Sequence, residues 1–438
     1  MIDTSAFQGK TAAYYTLGCK LNYAETSTYE RGFVAAGHTI VPWTADADLY
    51  LINTCSVTQH SDNKCRNIIR KCHRHAPDSP IVVTGCYAQL RRKEVEAIEG
   101  VRLVFGATEK SQVVPKTLEL MAGTDNLGTS EALDSFSATA LKTMAEDTMP
   151  AYSSGERTRA FLKVQDGCNN FCAYCTVPYA RGLSRNIPIC EVVKQAWQIA
   201  GQGIKEVVLT GVNTGDFGRT TGESFLDLLK ALNDVDGIER YRISSIEPNL
   251  ITEEIIDWIA SGTKFLPHFH IPLQVGDDEL LAKVGRKYDT ALFASRIDYI
   301  RKAMEGPGKP KVFFGIDVIV GLPGETDEKF ENTYKFLEER IRPAFIHIFP
   351  YSRRPGTRAA EMKDQVQDSI KTARVKRLEE LCDRRNAEFT KANKGVTEKV
   401  LWESAEKDGT MSGYTGNYIR LTRPYDAALC GTIQEVTI

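Results

Sequence analysis

The sequence predicts an α/β protein made of an amino-terminal parallel α/β sheet, a partial (β/α)6 barrel and a small carboxy-terminal antiparallel β-barrel. Three observations carry that reading. A chain of 438 residues exceeds what one hydrophobic core serves. Apolar runs of strand length alternate with helix-like stretches in two separate series, the pattern of βαβ units around parallel sheets. From Val396 onward, short β-type runs are instead split by turn residues.

In order, residues 10–121 make the first unit, with strands expected at Ala12 to Leu17, Asp48 to Ile52 and Pro80 to Thr84. A cysteine follows each of these strands closely, and then a helical pattern. Residues 122–156 are small, polar and weakly periodic, and read as a linker. Residues 157–372 hold six more strands: Ala160 to Val164, Glu206 to Thr210, Tyr241 to Ser245, Phe269 to Leu273, Val312 to Val320 and Phe345 to Phe349. Eight strands close such a barrel, so six leave it open on one side, where a large substrate can enter. Residues 373–438 take in a charged helix, starting near Gln367 and ending near Lys391, and then the runs KVLWES, TMSGYT, NYIRLT and GTIQEV. Turns at Asp408-Gly409 and Gly416-Asn417 separate these runs into a small antiparallel barrel.

Hydrophobic residues at 42% and charged residues at 26% are those of a folded soluble chain, which excludes disorder as the default. No run approaches the roughly 18 apolar residues of a membrane span, and the start lacks a secretory pattern. A cytoplasmic location and no membrane partner are therefore expected. In that reducing setting eleven cysteines, an odd number, point to metal binding or catalysis rather than to a disulfide framework. A net charge of -2 exerts no global pull on a polyanion, so any nucleic-acid surface must be local.

Cys168, Cys172 and Cys175 stand in DGCNNFCAYC, directly after a predicted strand. Three thiolates on one short loop can hold a four-iron cluster and leave one iron open to a ligand. The alternatives are a structural zinc site or buried, unligated cysteines. Zinc prefers four protein ligands, and the nearest further cysteine, Cys190, lies on a predicted helix. Two glycine-bearing loops, Thr210-Gly211-Val212-Asn213 and the stretch from Asp317 through Gly321 to Glu325, end the second and fifth barrel strands. Both sit on the carboxyl edge, where such barrels bind ligands and glycine permits close backbone approach.

Cys19 in TLGCKLN, Cys55 in INTCSVT and Cys86 in VTGCYAQ occupy equivalent strand-to-helix turns of the first unit. In a parallel sheet such turns open on one edge, so these three make a second thiolate site. Cys65 and Cys72, seven apart on one predicted helix, read as packing.

The Cys168, Cys172 and Cys175 spacing resembles that of the radical S-adenosylmethionine superfamily. With Cys19, Cys55, Cys86 and the order of its units, nearly the whole chain resembles the methylthiotransferase family, whose members end in a TRAM domain. The resemblance implies two 4Fe-4S clusters and S-adenosyl-L-methionine as cofactors, with Cys19, Cys55 and Cys86 on the auxiliary cluster. It places Tyr174 near the adenine of the cofactor. It implies further cofactor contacts from Thr210, Gly211, Asn213, Ser245, Glu247, Gln274, Arg286, Asp317, Gly321 and Arg181. Arg185 is implied as a cofactor or substrate contact, and Asn186 departs from the serine that relatives commonly carry there.

The implied chemistry moves a methyl group from one S-adenosylmethionine onto a sulfur of the auxiliary cluster. A second molecule yields the radical that takes hydrogen from C2 of adenosine 37 beside the anticodon, and the methylated sulfur joins that carbon. Lys20-Leu21 after Cys19 is similar to the threonylcarbamoyladenosine type, where the isopentenyladenosine type usually carries Gln-Met and the ribosomal-protein type Pro-Lys. Implied partners are the tRNA anticodon stem-loop, an electron donor such as flavodoxin or ferredoxin, and a sulfur donor.

Basic residues that could meet RNA phosphates gather at Lys64, Arg66, Arg70, Lys71 and Arg74, and again at Arg353, Arg354 and Arg358. Tyr414, Tyr418, Arg420 and Arg423 mix aromatic and basic groups near the end. Each group also reads as a solvated face or the charged rim of a small β core. The rival functions are the same chemistry on isopentenyladenosine or on a ribosomal-protein aspartate, and a noncatalytic iron-sulfur protein that binds RNA.

Overall fold

A computed structural model describes residues 7–123, 148–153, 155, 158–406 and 408–438. The first unit is a five-stranded parallel sheet of β1 (Thr11–Thr16), β2 (Thr39–Val41), β3 (Leu49–Thr54), β4 (Ile81–Gly85) and β5 (Val101–Phe105), in the order β2-β1-β3-β4-β5. All six residues of β3 are buried, as a central parallel strand covered on both faces requires. Helix Gln59–His75 covers one face with Cys65, Ile69 and Cys72. On the other face lie Tyr29 and Phe33 of helix Lys20–Ala35 and Val113 and Leu118 of helix Val113–Met121. Cys65 and Cys72 are thus core residues, 0% and 1% exposed.

The barrel strands are β6 (Arg159–Lys163), β9 (Glu206–Thr210), β10 (Arg240–Ile243), β11 (His268–Gln274), β12 (Phe313–Val320) and β13 (Phe345–Pro350). They pair in parallel as β6-β9-β10 and β11-β12-β13, and a bridge from Tyr241 to Phe265 together with the Ile246 N–H bond to His270 O joins the halves. All six match the expected strands to within one or two residues. The sequence reading missed β2, β5 and a two-residue antiparallel ribbon of β7 (Gln165–Asp166) and β8 (Arg185–Asn186) that precedes and follows the central cysteine loop.

The expected linker lies mostly outside the described residues, but its described part is ordered against the barrel. Tyr152 bridges Leu162 in antiparallel fashion, and Ser153 N–H bonds to Phe161 O at 2.9 Å. The boundary expected at 372/373 falls inside helix Asp368–Ala392, and this helix packs on the barrel: Ile346 N–H donates to Cys382 Sγ at 3.2 Å, and Arg374 pairs with Glu325 at 2.6 Å. The carboxy-terminal strands are β14 (Thr397–Ala405), β15 (Thr410–Tyr414), β16 (Arg420–Pro424) and β17 (Ile433–Thr437), antiparallel in the order β16-β15-β14-β17. They form an open half-barrel over a small core of Val400, Trp402 and Met411, not a closed barrel, because β16 and β17 do not pair among the described residues. No helix among the described residues is long and apolar enough to cross a membrane.

Candidate active site

The central cysteine loop leaves β7 through Gly167, whose φ of 72° is left-handed and where a Cβ would stand 2.0 Å from Leu183 O. Only glycine fits that turn. The loop aims its backbone at its own sulfurs: Asn170 N–H donates to Cys168 Sγ and Val177 N–H to Cys175 Sγ, each at 3.4 Å. Arg286 adds a bond to Cys172 Sγ at 3.3 Å. Burial, with Cys172 alongside, pushes the Cys168 thiol up to about 11 and the Cys175 thiol up to about 12. Three clustered thiols supplied with N–H donors and a guanidinium are a chemical fit to a metal cluster, which would stabilise the thiolates that burial alone opposes.

Beside the loop lies a cavity of about 320 Å³, within the usual size of small-molecule sites. Its lining includes all three cysteines and seven of the residues expected to contact the cofactor: Tyr174, Asn213, Ser245, Glu247, Gln274, Arg286 and Asp317. Arg286 pairs with Glu247 at 2.7 Å and bonds Tyr288 at 2.9 Å, while Asn170 donates to both Glu247 oxygens at 2.8 Å. Gln274 has φ 74° at an irregularity in the β11 register, and Phe171 has φ 47°. Left-handed conformations are costly for such residues and cluster where a surrounding site enforces them.

Cys19, Cys55 and Cys86 occupy the turns after β1, β3 and β4 on the carboxyl edge of the first sheet. Burial, opposed by Arg181 and Lys110 and aided by Cys55 and Cys19, raises the Cys86 thiol to about 12. Gly18 seals the meeting of two turns, since a Cβ there would lie 2.9 Å from Cys55 Cβ and 3.1 Å from its sulfur. Behind the three thiols runs a buried charge network. Lys110, Lys163 and Arg181 pair with Glu25 at 2.9 to 3.2 Å and with Asp166 at 2.8 to 3.0 Å, and Arg185 reaches Asp166 at 3.6 Å. Four cations against two carboxylates leave a positive surplus of two next to three potential thiolates, the sign that favours their ionised form.

A second cavity, of about 860 Å³, opens between the Cys19 turn, the barrel and the half-barrel. Thr210, Gly211 and Ser245 line it together with Lys20, His270, His347 and Tyr418. The ligand atoms of His270, Asp317 and His347 lie within 4.8 Å of one another, close enough for one divalent ion. The 2.6 Å bond from His270 Nε2 to Asp317 already satisfies that carboxylate without one.

Not every expected residue lines these spaces. Arg181 is 3% exposed inside the charge network, where it joins Glu25 and Asn22 of the first unit to Asp166 of the barrel. Gly321 lies outside the lining of both cavities, where a Cβ would strike Lys371 at 2.4 Å. Arg354 is no phosphate contact: it is buried and bound to Asp62 at 2.7 Å and Ser56 at 2.8 Å. Tyr414 and Tyr418 are half-buried, their rings 4.9 Å apart with the Arg159 guanidinium over both, and of the two only Tyr418 lines the larger cavity. The sequence reading missed Glu25, Lys110, Lys163 and Asp166, charges from three separate stretches of the chain that no local pattern distinguishes.

Comparisons with known proteins follow this division. Residues 162–337 match the Radical SAM superfamily, and residues 11–106 match the uncharacterized protein family UPF0004. The chain is 39% identical to the threonylcarbamoyladenosine tRNA methylthiotransferase MtaB of Bacillus subtilis, across 98% of this chain and 93% of that one. It is 31% identical to the tRNA-2-methylthio-N(6)-dimethylallyladenosine synthase of Desulfotalea psychrophila, across 92% of this chain and 90% of that one. Among solved structures, the radical S-adenosylmethionine methyltransferase TsrM of Kitasatospora setae shares the fold, with a TM-score of 0.59 at 16% identity, covering 80% of this chain and 75% of that one.

Proposed function

Because the chain belongs to the threonylcarbamoyladenosine tRNA methylthiotransferase family of radical S-adenosylmethionine enzymes, we propose that it methylthiolates C2 of N6-threonylcarbamoyladenosine at position 37 of tRNA. Membership makes it an enzyme and sets aside a noncatalytic RNA-binding role. One observation carries the reading: Cys19 of the first cysteine set and all three cysteines of the second face two adjoining cavities. Cys19 lines the larger cavity, Cys168, Cys172 and Cys175 line the smaller, Val57 and Thr58 beyond Cys55 also line the smaller, and Ser245 lines both.

When bound, a 4Fe-4S cluster at each cysteine set and S-adenosylmethionine would supply sulfur, a methyl group and the radical. The chain's own residues hold and screen them. Glu247 and Arg286 offer a carboxylate and a guanidinium to a zwitterionic amino acid, and Tyr174 offers an aromatic ring to an adenine. The surplus cations behind Cys86 favour three ionised thiols in the first unit. In this reading the first unit supplies sulfur, the barrel cleaves the cofactor and the half-barrel grips the anticodon stem-loop. A one-electron donor such as flavodoxin or ferredoxin and a sulfur donor complete turnover, in the cytoplasm.

The test is an anaerobic assay of reconstituted protein with S-adenosylmethionine, reductant and anticodon stem-loops bearing threonylcarbamoyladenosine or isopentenyladenosine. Roughly eight irons per chain, 5′-deoxyadenosine and a 2-methylthio product on the threonylcarbamoyl loop are expected. Product on the isopentenyl loop alone, or on neither, overturns the substrate.

A further inference from the structure

In the larger cavity most charged side chains already have a partner. Arg159 pairs with Glu403 at 2.7 Å and bonds Tyr418 at 3.1 Å. Arg242 pairs with Glu206 at 2.8 Å and donates to the carbonyls of Gly416 and Thr415, each at 2.8 Å. His270 is bonded to Asp317 at 2.6 Å. Lys20 is different: it lines the cavity, yet its ammonium makes no hydrogen bond or ion pair with the described residues. The nearby charges it senses are Arg159 and Arg242, which repel it, and Asp317 and Cys19, which attract it. Exposed on the cavity wall without a direct partner, its ammonium is free to meet an incoming anion.

The rest of the wall suits a nucleoside. Tyr23, Phe161, Phe313, Phe345 and Tyr418 supply aromatic and apolar surface on which an unstacked base can lie. At about 860 Å³ the cavity is large enough for a nucleoside carrying a bulky N6 substituent. The threonylcarbamoyl group ends in a carboxylate, ionised at neutral pH.

Resting on the proposed substrate, we infer that Lys20 recognises the carboxylate of the threonylcarbamoyl group and so sets the choice of modified adenosine. Its place in the chain gives the contact a second consequence. Lys20 adjoins Cys19, so one turn would both carry an auxiliary thiol and anchor the nucleoside that receives the sulfur. The lysine acts on binding and position, not on bond breaking.

The test compares wild-type protein, Lys20→Gln and Lys20→Arg. Each is given anticodon stem-loops with the threonylcarbamoyl group or with its neutral carboxamide, and the readouts are Kd by fluorescence anisotropy, KM and kcat, and iron content. Wild-type protein is expected to prefer the carboxylate by roughly 10- to 100-fold in Kd, the range of a hydrogen bond to a charged group. Lys20→Gln loses that preference through the carboxylate substrate alone, and Lys20→Arg keeps most of it. Because the ratio of the two Kd values is taken within one preparation, it stays readable if a variant assembles less iron. A Lys20→Gln protein that still prefers the carboxylate overturns the inference while the substrate assignment stands. Wild-type protein that binds both loops equally also overturns it, and wild-type protein that fails to methylthiolate the threonylcarbamoyl loop overturns the substrate and the inference together.

Discussion

Cys172 is 7% exposed and takes a hydrogen bond from Arg286, whereas Cys55 packs against Gly18 at the edge of the other sheet. The two sulfurs belong to different sites, so their removal should separate the two halves of the reaction. Cys172→Ala is expected to abolish 5′-deoxyadenosine formation and to halve the iron content. Cys55→Ala is expected to halve the iron as well but to keep cofactor cleavage while losing methylthiolation, both read by mass spectrometry of the products. Methylthiolation retained in Cys55→Ala would contradict the two-site reading. At this scale the cysteines were legible because their position after each strand repeats. Arg181 and Arg354 were not, because a guanidinium bound to a buried carboxylate and one bound to a phosphate look alike in a sequence. Only the fold shows Asp166 beside the first and Asp62 beside the second.

Among the elements, the strand-to-helix turns do the positioning, and their glycines show how little room they have. Gly18 has φ 106° and stands against Cys55, so Gly18→Ala combines backbone strain with a steric push between the Cys19 and Cys55 turns. The strain alone costs about 1–2 kcal/mol. The expected result is a folded protein with a lower melting temperature, loss of the iron held by the first unit and unchanged 5′-deoxyadenosine formation. Loss of cofactor cleavage as well would show that the turn supports both sites. The barrel strands were legible because each is a buried apolar run between helical patterns. Strand β2 escaped because three residues, one of them exposed, carry no periodicity. The β7–β8 ribbon escaped because its residues are polar: Gln165, Asp166, Arg185 and Asn186 are all buried, Asp166 and Arg185 within the charge network, Gln165 bonded to Ser184 and to the Val212 and Asn213 N–H groups, and Asn186 bonded to Thr220 and Thr221.

For the whole molecule, the half-barrel is held to the barrel by one carboxylate amid three guanidiniums. Glu206 is fully buried and lies 2.5 Å from Arg240, 2.8 Å from Arg242 and 3.8 Å from Arg159. Arg240 in turn donates to the carbonyls of Lys399 at 2.9 Å and Tyr414 at 3.0 Å, and Arg242 to those of Gly416 and Thr415. No sequence pattern joins residues so distant, so this junction was invisible before the fold was known. Burial pushes the Glu206 carboxyl up, but Arg242, Arg240 and Arg159 together pull it down from 4.5 to about 2. Between those values the unfolded chain binds the proton that the folded chain refuses, so stability rises with pH there. The contribution is therefore complete above pH 4.5 and lost as pH falls through about 2. Glu206→Gln leaves Arg240 and Arg242 without their carboxylate and is expected to lose about 3–5 kcal/mol at neutral pH, as broken buried ion pairs do. Urea unfolding of both proteins across pH should show that gap shrinking steadily below pH 4.5, because the unfolded wild-type chain then takes up the proton that the folded chain refuses. A gap that stays constant through that range would mean that Glu206 acts by shape rather than by charge.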